Sequence, residues 1–371
     1  MKIKRLGFDA RLIGETGVGR YIKNLLLCLS LIDPVNLYFI FLKSNDLPKF
    51  NFRNPNFHKI ALDVKWHTLG EQLLLPFILQ KYKLDLVHFP YFNVPLFYPG
   101  KYLVTVHDLI IDHTRTGRAT TLPFPIYLAK RLFYKLILIK ALKRAVKILT
   151  ISKSTKKEII SHYQIPEDKI LVTYDALDSD FLRLAQKLVP KKYYPFDYLL
   201  YVGNAYPHKN LEKLIMVMND PQIKQRVKLV LAGTDWFFYP RLKKMVDQLK
   251  LKKSVYFFGN ASDKQLIDLY FHARALIIPS LMEGFGLPNL EAVCLGILPL
   301  VSDIKVFREI WGNSLLYFNP HDQDDIKRII ISALNLPKQK IKKLVAKAQT
   351  RIDRFSWQKT AKDTLLQYQK I

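Results

Sequence analysis

Two glutamates, Glu283 and Glu291, flank a glycine turn in the stretch ALIIPSLMEGFGLPNLEAVCLGILPL, which runs from Ala275 to Leu300. Ala275 to Pro279 has the length and branching of a buried strand, Gly284 and Gly286 give a turn with no side chain in the way, and Pro288 stands where a first helical residue belongs. A helix starting there turns its unpaired N–H groups and its positive dipole end, around Phe285, Gly286 and Leu287, toward the turn, an arrangement that suits a phosphate or carboxylate. The two glutamates would repel an anion, but each accepts hydrogen bonds from neutral hydroxyls. This polarity fits a ligand with a negative middle and a hydroxyl-rich group at each end, as in a nucleotide sugar. An ordinary strand-turn-helix with two solvated glutamates explains the same segment.

A cation for such a ligand is offered by LYVGNAYPHKN, Leu200 to Asn210, where a strand gives way to Gly203 and the run Pro207-His208-Lys209-Asn210 opens a helix. The helix dipole disfavours a lysine there unless an anion compensates, which makes Lys209 the leading phosphate contact; the alternative is a surface lysine in a turn. In DARLIGETGVGRY, Asp9 to Tyr21, Gly17 and Gly19 precede another helix and are followed by Arg20. A third glycine is missing, which argues against a dinucleotide fingerprint and leaves a plain turn as the other reading. VTVHD, Val104 to Asp108, ends a strand on His107, with Asp108 placed to fix its tautomer. His88 and His67 read as structural or acceptor-side, and Ser152, after the strand KILTIS, as a site serine or equally well as a helix cap.

Short apolar runs alternate with helical patterns through both halves of the chain, the signature of parallel sheets wrapped by helices. The expected strands of the first half are Leu6–Asp9, Leu37–Leu42, Leu86–Phe89, Leu103–Val106, Ile148–Ile151 and Ile170–Thr173. Those of the second are Tyr198–Val202, Lys228–Ala232, Val255–Phe258, Leu276–Pro279 and Pro299–Val301. Asp178 to Phe196 reads as the link, with the boundary near Pro190, giving domains over 1–189 and 190–350 and a helical tail over 351–371. Open α/β sheets bind ligands at the carboxyl ends of their strands, so the expected site is a cleft between the two domains.

With 371 residues and 49% hydrophobic side chains, two cores are affordable. No run reaches the length of an uncharged membrane span, and MKIKRLGFDARL lacks the apolar stretch of a signal peptide, so a cytoplasmic location is expected. Cys28 and Cys294 support neither a disulfide framework nor a cysteine zinc site. The net charge of +27 is spread evenly, +13 over residues 1–185 and +14 over the rest, and no nucleic-acid signature accompanies it. An anionic membrane surface is the better partner, since clustered Lys and Arg each add roughly 1 kcal/mol there. The best candidate is AKRLFYKLILIKALKRAVKILT, Ala129 to Thr150, which would make the protein peripheral at the inner face of a membrane; a core-packed helix with a solvated basic face is the alternative.

The run E-GFGLP-NL-E from Glu283 to Glu291 resembles the nucleotide-sugar signature of the family 4 retaining glycosyltransferases, the group 1 glycosyltransferases of the GT-B fold. The GVG, HD and HKN segments extend the resemblance over most of the chain. It implies two Rossmann-like, doubly wound domains facing a cleft, with the tail helix crossing back to the first domain. It also implies retaining, metal-independent transfer of a hexose to a hydroxyl of a glycan or lipid-linked glycan, by front-face attack. Within it, His107 lies beside the transferred sugar, Glu283 binds sugar hydroxyls, Glu291 binds the ribose, Gly17 and Gly19 let backbone N–H groups approach the sugar nucleotide or the acceptor, Arg20 and Lys209 face the phosphates, and Gly203 joins the nucleotide-sugar contacts. Phe258 to Asp263, FGNASD, resembles the loop that contacts the base, so main-chain groups near Asn260 are expected there. His208 and Asn204 stand where relatives carry Arg, which puts more of the charge on Lys209 and Arg20. Asp178-Ser179-Asp180 spells the metal-binding D-x-D of a different transferase fold, but its place in the link reads as a cap and turn. The segments DARLIGETGVGRYIKNLL and FSWQKTAKDTLLQY resemble mannosyl- and rhamnosyl-type members, which tips the donor toward GDP-mannose. A nucleotide-sugar epimerase, a sugar phosphorylase and a non-catalytic lipid- or polyanion-binding protein remain as other readings.

Overall fold

Among the described residues every strand pairs in parallel, and the central strand runs are largely apolar because helices cover both faces of each sheet. The computed structural model describes residues 3–15, 17–113 and 124–371. The first sheet is built from β1 (Arg5–Asp9), β2 (Leu37–Leu42), β3 (Phe57–Ala61), β4 (Leu86–Phe89), β5 (Tyr102–Val106), β6 (Lys147–Thr150) and β7 (Ile170–Val172), in the order β3-β2-β1-β4-β5-β6-β7. The second is built from β8 (Tyr198–Val202), β9 (Lys228–Ala232), β10 (Val255–Gly259), β11 (Ala275–Ile278), β12 (Pro299–Ser302) and β13 (Leu316–Phe318), in the order β10-β9-β8-β11-β12-β13. Each order reverses direction at one point, between β1 and β4 in the first and between β8 and β11 in the second. At such a switch point the loops leaving two neighbouring strands diverge and open a crevice at their carboxyl ends.

The chain divides into Met1–Asp175 with Ser356–Ile371, and Ala176–Phe355. The division falls before the helix Ser179–Lys187 rather than near Pro190. The Phe181 ring packs edge-on against Tyr270, and Lys191 N–H donates to Asp268, so this segment belongs to the second unit. Asp178 caps that helix by accepting the Asp180 N–H, a local role for the D-x-D carboxylate. At the other end, Phe355 remains in the second unit against Phe285. The last helix, Trp357–Lys370, packs in the first unit on the helix Gly17–Ile32: Thr360 Oγ1 donates to the Tyr174 carbonyl, and the Trp357 ring meets Tyr21.

Candidate active site

The loops after β8 and β11 leave the second sheet side by side, and their own hydrogen bonds lace them together. After β8, Pro207–Lys209 forms one tight turn and Asn210 takes a left-handed conformation, φ 60°. The Asn210 amide then donates to the carbonyls of Pro279 and Pro320, at 3.1 and 2.8 Å, while Leu281 N–H donates to His208 at 2.7 Å. This lacing sets Lys209 beside Glu283. The Lys209 Nζ donates to both Glu283 oxygens, at 2.8 and 2.9 Å, and Ser280 Oγ donates to Oε1 at 2.7 Å. The two side chains are only 17% and 12% exposed, so water screens the pair weakly. Burial by itself would raise the Glu283 carboxyl, but the Lys209 ammonium and the Ser280 hydroxyl outweigh it and hold the group below the usual carboxylate range. His208 is pushed down to about 4 by burial and by Lys209, which leaves it neutral at pH 7. Ser280 gave no separate signal in the sequence, and Asn210 showed only as the end of the HKN run, because their importance comes from which loops the sheet order makes neighbours.

Beyond the pair, the chain bends through Gly284 and Phe285, both buried, into the helix Leu287–Cys294. Leu287 is the first helical residue, one position ahead of the expected Pro288. Gly286 caps the helix at φ 94°, where a Cβ would sit 2.7 Å from the Phe307 ring, and among the described residues no side chain caps the first turn. The fully buried Asn289 amide, next to Gly286, has no hydrogen-bond partner among the described residues on either its donor or its acceptor atom. Glu291 is buried as well, with Oε2 accepting from the Tyr270 hydroxyl at 2.8 Å. Asn260 is exposed just past β10.

Gly203 and Gly233 end β8 and β9 back to back, at φ 145° and 152°. A Cβ on Gly233 would lie 1.9 Å from the Gly203 carbonyl oxygen, so the loop carrying Lys209 keeps its course only with glycine there. Gly233→Ala is expected to cost about 3 kcal/mol or more in urea denaturation. A loss below about 1 kcal/mol would show that the two loops can separate freely.

In the first unit, His107 ends β5 in a buried position, and its Nε2 donates to the Pro90 carbonyl at 2.9 Å. That carbonyl, delivered by the neighbouring strand β4, fixes the tautomer in place of the expected Asp108, whose Oδ1 accepts the Ile110 N–H. Burial pulls His107 down to about 4, so the imidazole is neutral at pH 7. Tyr21 meets its ring edge-on at 4.8 Å. Arg20 sits half-buried on the helix Gly17–Ile32; Gly17 is exposed, whereas Gly19 lets that helix pass within reach of the Ile13 carbonyl. His88 is structural: its ring nitrogens bond the Tyr368 and Thr105 hydroxyls at 2.6 and 2.7 Å, deep under the sheet. His67 is exposed, and its N–H donates to Glu71.

Sequence reasoning overlooked the strongest charge cluster of this unit. Arg11, 1% exposed, forks onto Asp9 at 2.8 and 2.6 Å and reaches Glu71 at 2.7 Å, tying the loop after β1 to the helix Leu69–Lys81. Burial opposes its charge, but the two carboxylates win and raise the guanidinium above its ordinary value, while burial pushes the Glu71 carboxyl up.

Residues 186–351 match the family described as Glycosyl transferases group 1, and residues 16–181 match Glycosyltransferase Family 4. The O-antigen chain mannosyltransferase RfbU of Salmonella typhimurium strain LT2 is 30% identical over 273 residues, covering 73% of this chain and 71% of that protein. The chain belongs to glycosyltransferase family 4. The serotype-specific mannosyltransferase WbdA of Escherichia coli is 34% identical over 232 residues, 59% of this chain but only 28% of the longer relative. Among solved structures, the sucrose-phosphate synthase of Thermosynechococcus elongatus superposes with a TM-score of 0.77 at 17% identity, over 99% of this chain and 98% of that one. Anabaena HepE, solved in complex with UDP-glucose, gives 0.74 at 15% identity over 99% and 100%. Family 4 membership and these neighbours make the protein a glycosyltransferase built of two parallel-sheet, Rossmann-like units of the GT-B fold. Lys209, Glu283 and the Gly286 bend all lie in the segment that matches the group 1 family.

Proposed function

We infer that this glycosyltransferase moves a mannosyl group from a nucleotide sugar, with GDP-mannose the favoured donor, to a hydroxyl of a glycan or lipid-linked glycan, with retention of configuration. The observation that carries the reading is the Lys209–Glu283 pair set at the switch point of the second sheet, directly ahead of the uncapped helix at Gly286. RfbU and WbdA, both mannosyltransferases by name, support the sugar, and RfbU's O-antigen name supports a glycan acceptor.

Departure of a nucleoside diphosphate leaves an oxocarbenium-like sugar and builds negative charge on the β-phosphate. Lys209 and the first-turn N–H groups near Gly286 and Leu287 supply fixed positive charge for it, with the unpaired Asn289 amide as a further donor. Handling of the diphosphate by protein cations is the reason to expect no metal requirement. Glu283 orients sugar hydroxyls. With an ammonium on both its oxygens and a lowered pKa, it is a poor nucleophile, which favours attack from the leaving-group face over a covalent intermediate. Glu291 and the main chain near Asn260 take the ribose and base.

A melting-temperature panel of UDP, GDP, ADP and dTDP, each with and without magnesium, tests this. GDP at a hundred times its Kd is expected to stabilise the protein by about 2.7 kcal/mol, with or without the metal. If no nucleoside diphosphate raises the melting temperature, the reading is wrong. If only the magnesium complexes do, its metal-independent form is wrong.

A further inference from the structure

The buried Asp9–Arg11–Glu71 cluster holds more than the loop after β1. Arg11 Nη1 also donates to the Val64 carbonyl at 2.9 Å, and Glu71 Oε2 accepts the His67 N–H, at 2.9 Å, and the Asn93 side-chain amide. The same charges therefore fix the loops that leave β1, β3 and β4. Those strands run parallel, so their loops emerge at one edge of the sheet, and strand order reverses between β1 and β4. The loop after β3 is held tightly enough to keep a non-glycine residue in the left-handed region, His67 at φ 57°. Thr68 closes that turn by donating to the Lys65 carbonyl and accepting the Glu71 N–H. Backbone kept in so costly a conformation points to a loop whose course matters.

These loops present aromatic rings. Trp66, half-buried beside His67, meets the Tyr91 ring of the loop after β4 at 5.0 Å. Tyr91 lies within 27° of parallel to the His107 imidazole at 6.4 Å, and its neighbour Phe92 is sunk in the hydrophobic cluster of this unit, which anchors the loop. Trp66, Tyr91 and His107 thus form one run of rings along the carboxyl edge, contributed by the ends of β3, β4 and β5. The electron-rich face of an aromatic ring attracts polarised C–H groups. A pyranose offers such groups on a face of its ring and hydroxyls around its rim. The exposed Lys65 and His67 side chains, on either side of Trp66 in the chain, are hydrogen-bonding partners for that rim.

We propose that Trp66 and Tyr91 form the platform on which a sugar ring of the acceptor glycan stacks. Stacking there rests on the transferase reading, in which the second unit takes the nucleotide and the first is left for the acceptor. It makes the acceptor a glycan recognised through the C–H face of a pyranose, on rings whose loops the buried Arg11 cluster sets in place. A sugar with axial hydroxyls on the stacked face cannot lie flat on the rings, so ring stereochemistry decides which acceptors bind.

Saturation-transfer NMR tests the platform, with the methyl glycosides of mannose, rhamnose, galactose and N-acetylglucosamine as probes, each with and without GDP. At least one probe is expected to bind the wild type, with the strongest saturation on the ring protons of one face. Trp66→Ala should weaken that binding about tenfold, and Trp66→Phe, which keeps a ring, should retain most of it, both at the wild-type melting temperature. Equal binding by Trp66→Ala and wild type, saturation spread evenly around the sugar, or no binding of any probe overturns the proposal. So does a loss in both variants that accompanies a fall in melting temperature, since it would make Trp66 a support for the loop. The rise in melting temperature with GDP alone tests the transferase reading by itself, which keeps the two failures distinguishable.

Discussion

Glu283→Gln is expected to lower kcat by about a hundred- to a thousandfold, roughly 2.7–4 kcal/mol of transition-state stabilisation. The change is isosteric, but it removes the charge that Lys209 grips with two hydrogen bonds and that Ser280 orients. The ammonium then swings toward any phosphate present. The affinity for nucleoside diphosphate should therefore hold or rise while turnover falls. Lys209→Met should weaken both, because it removes the cation itself. Stability separates a folding defect from a chemical one. Glu283 titrates below the ordinary carboxylate value in the folded protein, so the pair's contribution is present above the unfolded value and is lost as pH falls through the folded one. Wild type and Glu283→Gln should differ in melting temperature at pH 7 and converge in acid. Turnover by Glu283→Gln within a few-fold of wild type would take Glu283 out of the reaction.

Glu71→Ala carries the largest expected loss of stability, about 3–5 kcal/mol, because it strips one carboxylate from a guanidinium that has almost no access to water. It also orphans the His67 N–H and the Asn93 amide, both of which donate to Glu71. Replacing the whole triad, Arg11→Met with Asp9→Leu and Glu71→Leu, should cost less than the single change, since no buried guanidinium is left short of a carboxylate, while the His67 N–H and the Asn93 amide lose their acceptor in both variants. Urea denaturation compares the two. If the triple variant is the less stable, the triad itself contributes net stability rather than merely being costly to break.

Strand positions were readable wherever a run was buried on both faces. β2, β4, β8 and β9 span the residues that branching and apolarity predicted, because a parallel strand covered on both sides has no polar positions to dilute its pattern. β3 and β13 escaped notice. They are edge strands, and β3 (FHKIA) leaves three of its five side chains exposed, so its composition is that of a loop. The unit boundary was misread for a related reason: the polar helix Ser179–Lys187 reads as a link until Phe181 is seen to fill a hydrophobic contact at Tyr270.

By itself, the sequence determined the class of fold, the family and the identity of the ionisable residues, since each of these is written in local patterns a few residues long. Tertiary structure decided their pairing. Lys209 and Glu283 lie 74 positions apart and meet because β8 and β11 are neighbours across the point where strand order reverses. His107 takes its tautomer from Pro90 because β4 and β5 are neighbours, and Arg11 takes Glu71 from the helix Leu69–Lys81, which the fold sets beside the loop after β1. Crossover helices separate strands that the sheet then sets side by side, so no local window of the chain contains both members of any of these pairs.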